Sequence, residues 1–143
     1  MAITLTWEAL ELCPLGSPDY PSCLSNLAAY LYTRYNRQGL ISNLDKAIVF
    51  TREALELCPL WHPERSQFAG NLAACLFARY GQLGVMSGLV QAIIRSREEL
   101  ELLLPGHSAR ALSSNNLARY LVTQYNQLEV TGDERPQGGD HSH

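Results

Sequence analysis

The chain has 143 residues, of which 46% are hydrophobic and 17% charged, so it is long and apolar enough to fold around a core. Its formal net charge of -3 comes without a basic run, which argues against a nucleic-acid partner. No apolar stretch is long enough to cross a bilayer, and the first residues lack the basic head and apolar centre of a signal peptide. We therefore expect a cytoplasmic protein that binds neither nucleic acid nor membrane.

The sequence repeats itself with a period of 45 residues. Residues 8–15, Glu-Ala-Leu-Glu-Leu-Cys-Pro-Leu, recur unchanged as residues 53–60, and Glu-Glu-Leu-Glu-Leu follows at the same offset as residues 98–102. Asn-Leu-Ala occurs once in each copy, and one repeat position is always tyrosine, at Tyr35, Tyr80 and Tyr125. A fixed period of this length indicates a stack of similar structural units.

Each period contains two stretches with the apolar spacing of a helix, which we name A-type for the first and B-type for the second. In chain order they are a B-type helix at 3–13, an A-type helix at 20–38, a B-type helix at 42–58, an A-type helix at 64–83, a B-type helix at 87–104 and an A-type helix at 108–128. Prolines end the B-type helices, and Gly39 and Gly84 separate the two helices of a pair. We expect the repeat array to occupy residues 1–129, followed by a disordered polar tail at 130–143.

The residues of the repeat resemble the tetratricopeptide family. Asn-Leu-Ala on the A-type helix, Ala47 and Ala92 early on the B-type helix, and Ala-Leu-Glu-Leu-x-Pro at its end are similar to the family's pattern of small packing residues and a terminal proline. The resemblance covers residues 7–128. The period exceeds the usual 34 residues, as in kinesin-light-chain-like repeats, and Arg-Glu-Ala-Leu-Glu-Leu and His-Pro-x-Arg-Ser resemble the long arrays of fungal proteins. The resemblance implies an all-α fold, a right-handed superhelical α-solenoid of about six helices in antiparallel pairs.

Such repeats function through their surfaces, so the resemblance implies a non-catalytic scaffold for protein–protein interaction. A peptide or a partner helix would bind in the concave groove lined by the A-type helices. Asn26, Asn71 and Asn116 share one repeat position and are expected to form a ladder there, because an amide both donates and accepts hydrogen bonds. The alternative is that each asparagine bonds to the neighbouring repeat and holds the stack together.

Charge is unevenly distributed over the A-type segments. They carry six arginines against one acid, Glu64, a net of six minus one, or +5. This bias favours an acidic ligand, because arginine binds carboxylates with paired donors. The alternative is that the arginines face solvent or pair with glutamates of the B-type helices. The remaining candidate partner-binding residues are Arg34, Arg79, Arg119 and Tyr30.

Neither catalytic motifs nor metal-ligand spacings are visible, so we predict no enzyme activity, no cofactor and no metal site. The four cysteines, Cys13, Cys23, Cys58 and Cys75, are expected to be reduced and buried. A second hypothesis is self-assembly. The predicted array opens on a B-type helix and closes on an A-type helix, and these incomplete ends could pair two chains into a homodimer.

Overall fold

The computed structural model describes residues 20–133, and all of the regular structure in that range is helical. The described helices are α1 (Tyr20–Gln38), α2 (Ile41–Leu57), α3 (Arg65–Leu83), α4 (Met86–Leu102) and α5 (Arg110–Asp133). The predicted all-α fold is thus confirmed for this part of the chain. The helix expected at residues 3–13 lies outside the described residues.

The predicted helices agree with α1 to α5 to within two residues at every start. The largest difference is at the end of α5, which was expected at residue 128 and lies at Asp133. No proline or glycine occurs between Arg110 and Gly132, so nothing in the local sequence stops the helix earlier. The helix therefore passes residue 129, where we expected the array to end, and the rest of the predicted tail lies outside the described residues.

Two glycines end the A-type helices α1 and α3. Gly39 and Gly84 have φ angles of +74° and +71°, a left-handed conformation that glycine adopts without steric cost. The N–H of Gly84 donates to the Tyr80 carbonyl at 2.7 Å, and Gly39 makes the same bond to Tyr35. These caps satisfy carbonyl groups that the helix leaves unpaired and turn the chain into the following B-type helix.

The helices pack as a row of neighbours. α1 contacts α2, α3 contacts α4, the B-type helices α2 and α4 each contact the next A-type helix, and α1 also touches α3. Ala47 and Ala92 are fully buried, as expected from the repeat pattern of small packing residues. The repeated tyrosines, which we expected to pack, differ along the row: Tyr35 is buried, Tyr80 is partly buried and Tyr125 is 62% exposed.

Candidate functional site

A pocket opens between the A-type helices α1 and α3. Its volume is about 140 Å3. Tyr32 and Thr33 of α1 line one side, Asn71 and Cys75 of α3 line the other, and Thr51 of α2 lies between them, with three alanines completing the walls. The hydroxyl of Thr51 already donates its hydrogen to the Ala47 carbonyl, at 2.7 Å from Oγ1, so it could only accept a hydrogen bond from a ligand. The exposed lining of the pocket is mostly apolar, with an amide on its α3 side.

The titratable groups of this pocket are neutral at physiological pH. Burial raises the pKa of the Cys75 thiol to about 12. Burial is also the main cause that raises the pKa of the Tyr32 hydroxyl. A charged ligand group would find no counter-charge among these side chains, so the pocket suits an apolar group.

The equivalent place between α3 and α5 is filled. Tyr120 follows Cys75 by one repeat, is 1% exposed, and lies with its ring 4.5 Å from the ring of Phe77, centroid to centroid. Phe77 in turn is the repeat equivalent of Tyr32. A large side chain on α5 thus closes the second seam, whereas the small Cys75 leaves the first one open.

The three asparagines of the predicted ladder have different surroundings. Asn71 is partly buried, lines the pocket and donates from Nδ2 to Ser25 Oγ of α1 at 3.5 Å. Asn116 accepts at Oδ1 from Arg119 of its own helix, also at 3.5 Å. Asn26 is exposed. Only Asn71 both borders the pocket and bonds to the neighbouring A-type helix, and because 3.5 Å is the outer limit of a hydrogen bond, that bond is weak.

The predicted arginine sites do not come together in one groove. Arg79 Nε donates to Asp45 Oδ1 at 2.8 Å, so it joins α3 to α2 at a seam away from the pocket. Arg34 donates to Tyr30 and Gln38, and its guanidinium carbon lies 5.9 Å from the Tyr30 ring. Arg79 thus follows the alternative in which an arginine pairs with an acid of a B-type helix.

Two more of these arginines cap helices. Arg65 Nη1 donates to the carbonyl oxygens of Leu55 and Cys58 at the end of α2, at 3.0 and 2.8 Å. Arg110, one repeat later, makes the matching bonds at the end of α4. Because these positive groups are used on helix carbonyls, the net charge of +5 on the A-type segments overstates the charge of any groove.

Arg119 is the predicted arginine that remains beside the seams between A-type helices. It is exposed, and its guanidinium carbon lies 5.3 Å from the Phe77 ring and 5.6 Å from the Tyr120 ring. Stacking of this kind holds a guanidinium in place while its edge stays accessible to solvent. A carboxylate could approach that edge.

The sequence interpretation missed Tyr32 and Cys75. The signal for Cys75 was the change in side-chain size at one repeat position, which holds Tyr30, Cys75 and Tyr120; the position of Tyr32 holds Phe77 in the next repeat and gives no such signal.

Cys23 corrects the expectation for the cysteines. It is disulfide-bonded, so the prediction of four reduced cysteines is wrong. Cys58 and Cys75 are free and buried, as expected. Within the described residues, no helix is long and apolar enough to cross a membrane. No group of three potential metal ligands occurs in the same range.

Comparison with protein-family models finds no match, and neither the curated proteins nor the solved structures include one with significant similarity to this chain.

Proposed function

We propose that this chain is a tetratricopeptide-like α-solenoid that binds a peptide or a partner helix along its A-type helices and catalyses no reaction. The helix bounds support the stacked arrangement. The A-type helices begin at Tyr20, Arg65 and Arg110, and the B-type helices begin at Ile41 and Met86, so each type recurs after 45 residues. Stacked pairs of this kind present their A-type helices on one concave surface.

The open pocket between α1 and α3 carries the proposal. A recess with mostly apolar walls and no charged side chain fits an apolar side chain of the ligand, and the amide of Asn71 at its side fits the ligand's backbone. Binding would use an apolar anchor held by one seam, with the exposed Arg119 at the next seam available for a carboxylate. The acidic ligand expected from the sequence thus depends on Arg119 more than on Arg34 or Arg79.

A displayed library of random peptides, selected on the full chain, tests this function. We expect the enriched peptides to share an apolar residue. Ala74 lines the pocket, and its repeat equivalent is Arg119. Ala74→Arg puts a large charged side chain at the pocket wall, so it should abolish binding of these peptides. Gln82→Arg adds the same charge to an exposed position of the same helix and serves as the matched control.

The outcome is read as affinity for each folded variant, with thermal melting as the check on folding. If no peptide is enriched, or if the enriched peptides bind the Ala74→Arg variant as well as they bind the control, the pocket is not a ligand site. Affinity that falls with salt in the unmodified chain but not in an Arg119→Gln variant would assign the acidic contact to Arg119.

The cytoplasmic location expected from the sequence stays a prediction. A disulfide at Cys23 is unusual in a reducing compartment, so it conflicts with the expected cytoplasmic location. Thiol labelling of the protein directly after cell lysis measures the redox state of Cys23 and decides between them.

A further inference from the structure

The described residues leave exposed part of the α5 face that would contact a following helix. Five repeat positions form this face, and in α1 all five are buried: Leu24, Leu27, Ala28, Leu31 and Tyr35. In α3 the first four are buried in the same way: Ala69, Leu72, Ala73 and Leu76. Of their α5 equivalents, Ser114, Ala118 and Tyr125 are exposed, Leu121 is partly buried and Leu117 is buried. The helices that follow α1 and α3 cover this face, and no described helix follows α5.

A B-type helix is the element that covers the later part of this face. Gly88 of α4 packs beside Tyr80 of α3, since a Cβ built on the glycine would lie at an ordinary contact distance of 3.6 Å from the tyrosine Cβ. On α5 the equivalent tyrosine, Tyr125, is 62% exposed. In α3 the later part of this face is thus covered by a B-type helix, whereas in α5 the described residues leave it exposed.

A charge on α5 points to the same kind of neighbour. Arg65 bonds to the end of α2 and also forms an ion pair with Glu98 of the following B-type helix, with 3.1 Å between Nη2 and Oε2. Arg110 repeats the bonds to the helix end, at 3.1 and 2.9 Å, but among the described residues it has no acidic partner. A B-type helix with an acid at the Glu98 position would supply one.

The chain itself contains, before α1, a segment whose sequence is similar to that of the B-type helix α2. Residues 2–13 align with residues 47–58 of the second repeat. At every buried position of that stretch of α2 and its cap, apart from Phe50, the two segments carry the same residue: Ala47, Ile48, Thr51, Ala54, Leu55 and Cys58 correspond to Ala2, Ile3, Thr6, Ala9, Leu10 and Cys13. Glu8 falls at the position of Glu98.

We propose that residues 2–13 of a second copy dock as a B-type helix on this face of α5, with Glu8 of that copy paired to Arg110. The contact joins two different surfaces, so it extends head to tail unless it closes on itself as a dimer or a ring. It uses neither the pocket between α1 and α3 nor Arg119, and its outcome is independent of peptide binding.

Sedimentation of the full chain over a range of concentrations tests the contact. The unmodified chain should gain average mass as concentration rises. Ala118→Arg puts a charge on the proposed face at an exposed position, so the variant should fold and remain a monomer. Asn126→Arg is the matched control, because its repeat position is exposed in α1, α3 and α5 alike, and it should assemble as the unmodified chain does.

The other half of the contact has its own pair of variants. Glu8→Arg should weaken assembly, whereas Glu53→Arg, which makes the same change at the same repeat position of α2, should leave it unchanged. A mixture of the Ala118→Arg and Glu8→Arg chains should form a one-to-one complex and nothing larger. The first variant supplies an intact amino-terminal segment and the second an intact α5 face.

A chain that stays monomeric at every concentration overturns the proposal. So does assembly of the Ala118→Arg variant with unchanged affinity, or a mixture of the two variants that forms no complex although the unmodified chain assembles.

Discussion

Phe77 and Tyr120 face each other across α3 and α5 with their ring centroids 4.5 Å apart, and this contact closes the second seam between A-type helices. Tyr120 is among the largest fully buried side chains of the described residues. At the first seam the corresponding pair is Tyr32 and Cys75, which leaves a pocket. One repeat unit thus presents a filled seam on one side and an open one on the other.

Tyr120→Ala should destabilise the fold by about 3 kcal/mol, because it removes a buried aromatic ring and leaves a cavity against Phe77. Urea unfolding of the full chain measures the loss. Tyr30 occupies the same repeat position on α1 but is 43% exposed, so Tyr30→Ala should change stability far less. Equal losses for the two variants would mean that the seam between α3 and α5 does not contribute as the structure indicates.

Arg65→Ala should lower the free energy of unfolding by about 2 kcal/mol. The guanidinium joins the end of α2 to α4 through two backbone carbonyls and Glu98, and its side chain is only 14% exposed. Hydrogen bonds from a charged group are stronger than those between neutral groups, and the carbonyls would lose their partner. Arg97, exposed on α4, provides the control, since its replacement by alanine should stay within about 0.5 kcal/mol. Comparable midpoints in a denaturant titration for both variants would contradict the capping role.

Glu99 lies in a place where the preceding repeat has Ala54. Its carboxyl group covers Gly70 so closely that a Cβ there would come within 2.5 Å of Oε2. Ser113, the equivalent of Phe68, is buried beside it; its hydroxyl partly counteracts the effect of burial on Glu99 although its geometry falls short of a hydrogen bond. Relative to Ala54 and Phe68, the side chain is thus larger at Glu99 and smaller at Ser113, so the two changes in volume compensate each other. Burial raises the pKa of Glu99, because the charged form is poorly solvated there.

A raised pKa in the folded state makes the fold bind a proton more tightly than the unfolded chain does. The contribution of Glu99 to stability is therefore full below its unfolded pKa and is lost as pH rises through the folded pKa. Glu99→Gln cannot ionise, so it should be more stable than the unmodified chain at neutral pH, and the difference should vanish in acid. Thermal melting of both proteins across this range gives the measurement. If Glu99→Gln were instead less stable than the unmodified chain at neutral pH, the stability difference would have the opposite sign. Desolvation of Glu99 would then be ruled out as the cause of its raised pKa.

Replacing Gly81, inside α3, or Gly84, just after it, by alanine should change stability in opposite directions. Gly84 has a φ of +71°, so Gly84→Ala should cost about 1 kcal/mol of stability. Gly81 lies inside the helix, and a Cβ added there would meet open space, so Gly81→Ala should stabilise by about 0.5 to 1 kcal/mol through helix propensity. Chemical denaturation of the two variants should give changes of opposite sign. A loss of stability in both variants would contradict the prediction for Gly81→Ala, and a gain in both would contradict the capping role of Gly84.

The amino-acid sequence determined the type, order and starts of α1 to α5, because these depend on local features: apolar spacing along one helix, prolines after the B-type helices and glycines between the helices of a pair. It also identified Ala47 and Ala92 as buried packing residues, since alanine recurs at this repeat position. The end of α5 was predicted too early because the residues from 130 onward are polar and aperiodic. Polarity alone does not end a helix, and no proline or glycine occurs within α5 before Gly132.

Only the tertiary structure decided what each repeated side chain contacts. The offset of 45 residues aligns Arg34 with Arg79, yet Arg79 pairs with Asp45 while Arg34 packs on Tyr30 of its own helix. It aligns Tyr30 with Cys75 and Tyr120, yet one is exposed, one borders a pocket and one fills a seam. A repeat fixes a position on its own helix, whereas the partner at that position depends on the size and charge of residues on neighbouring helices, which differ from copy to copy. For this reason the groove charge inferred from counting arginines was too high, and the open seam became visible only when the helices were packed together.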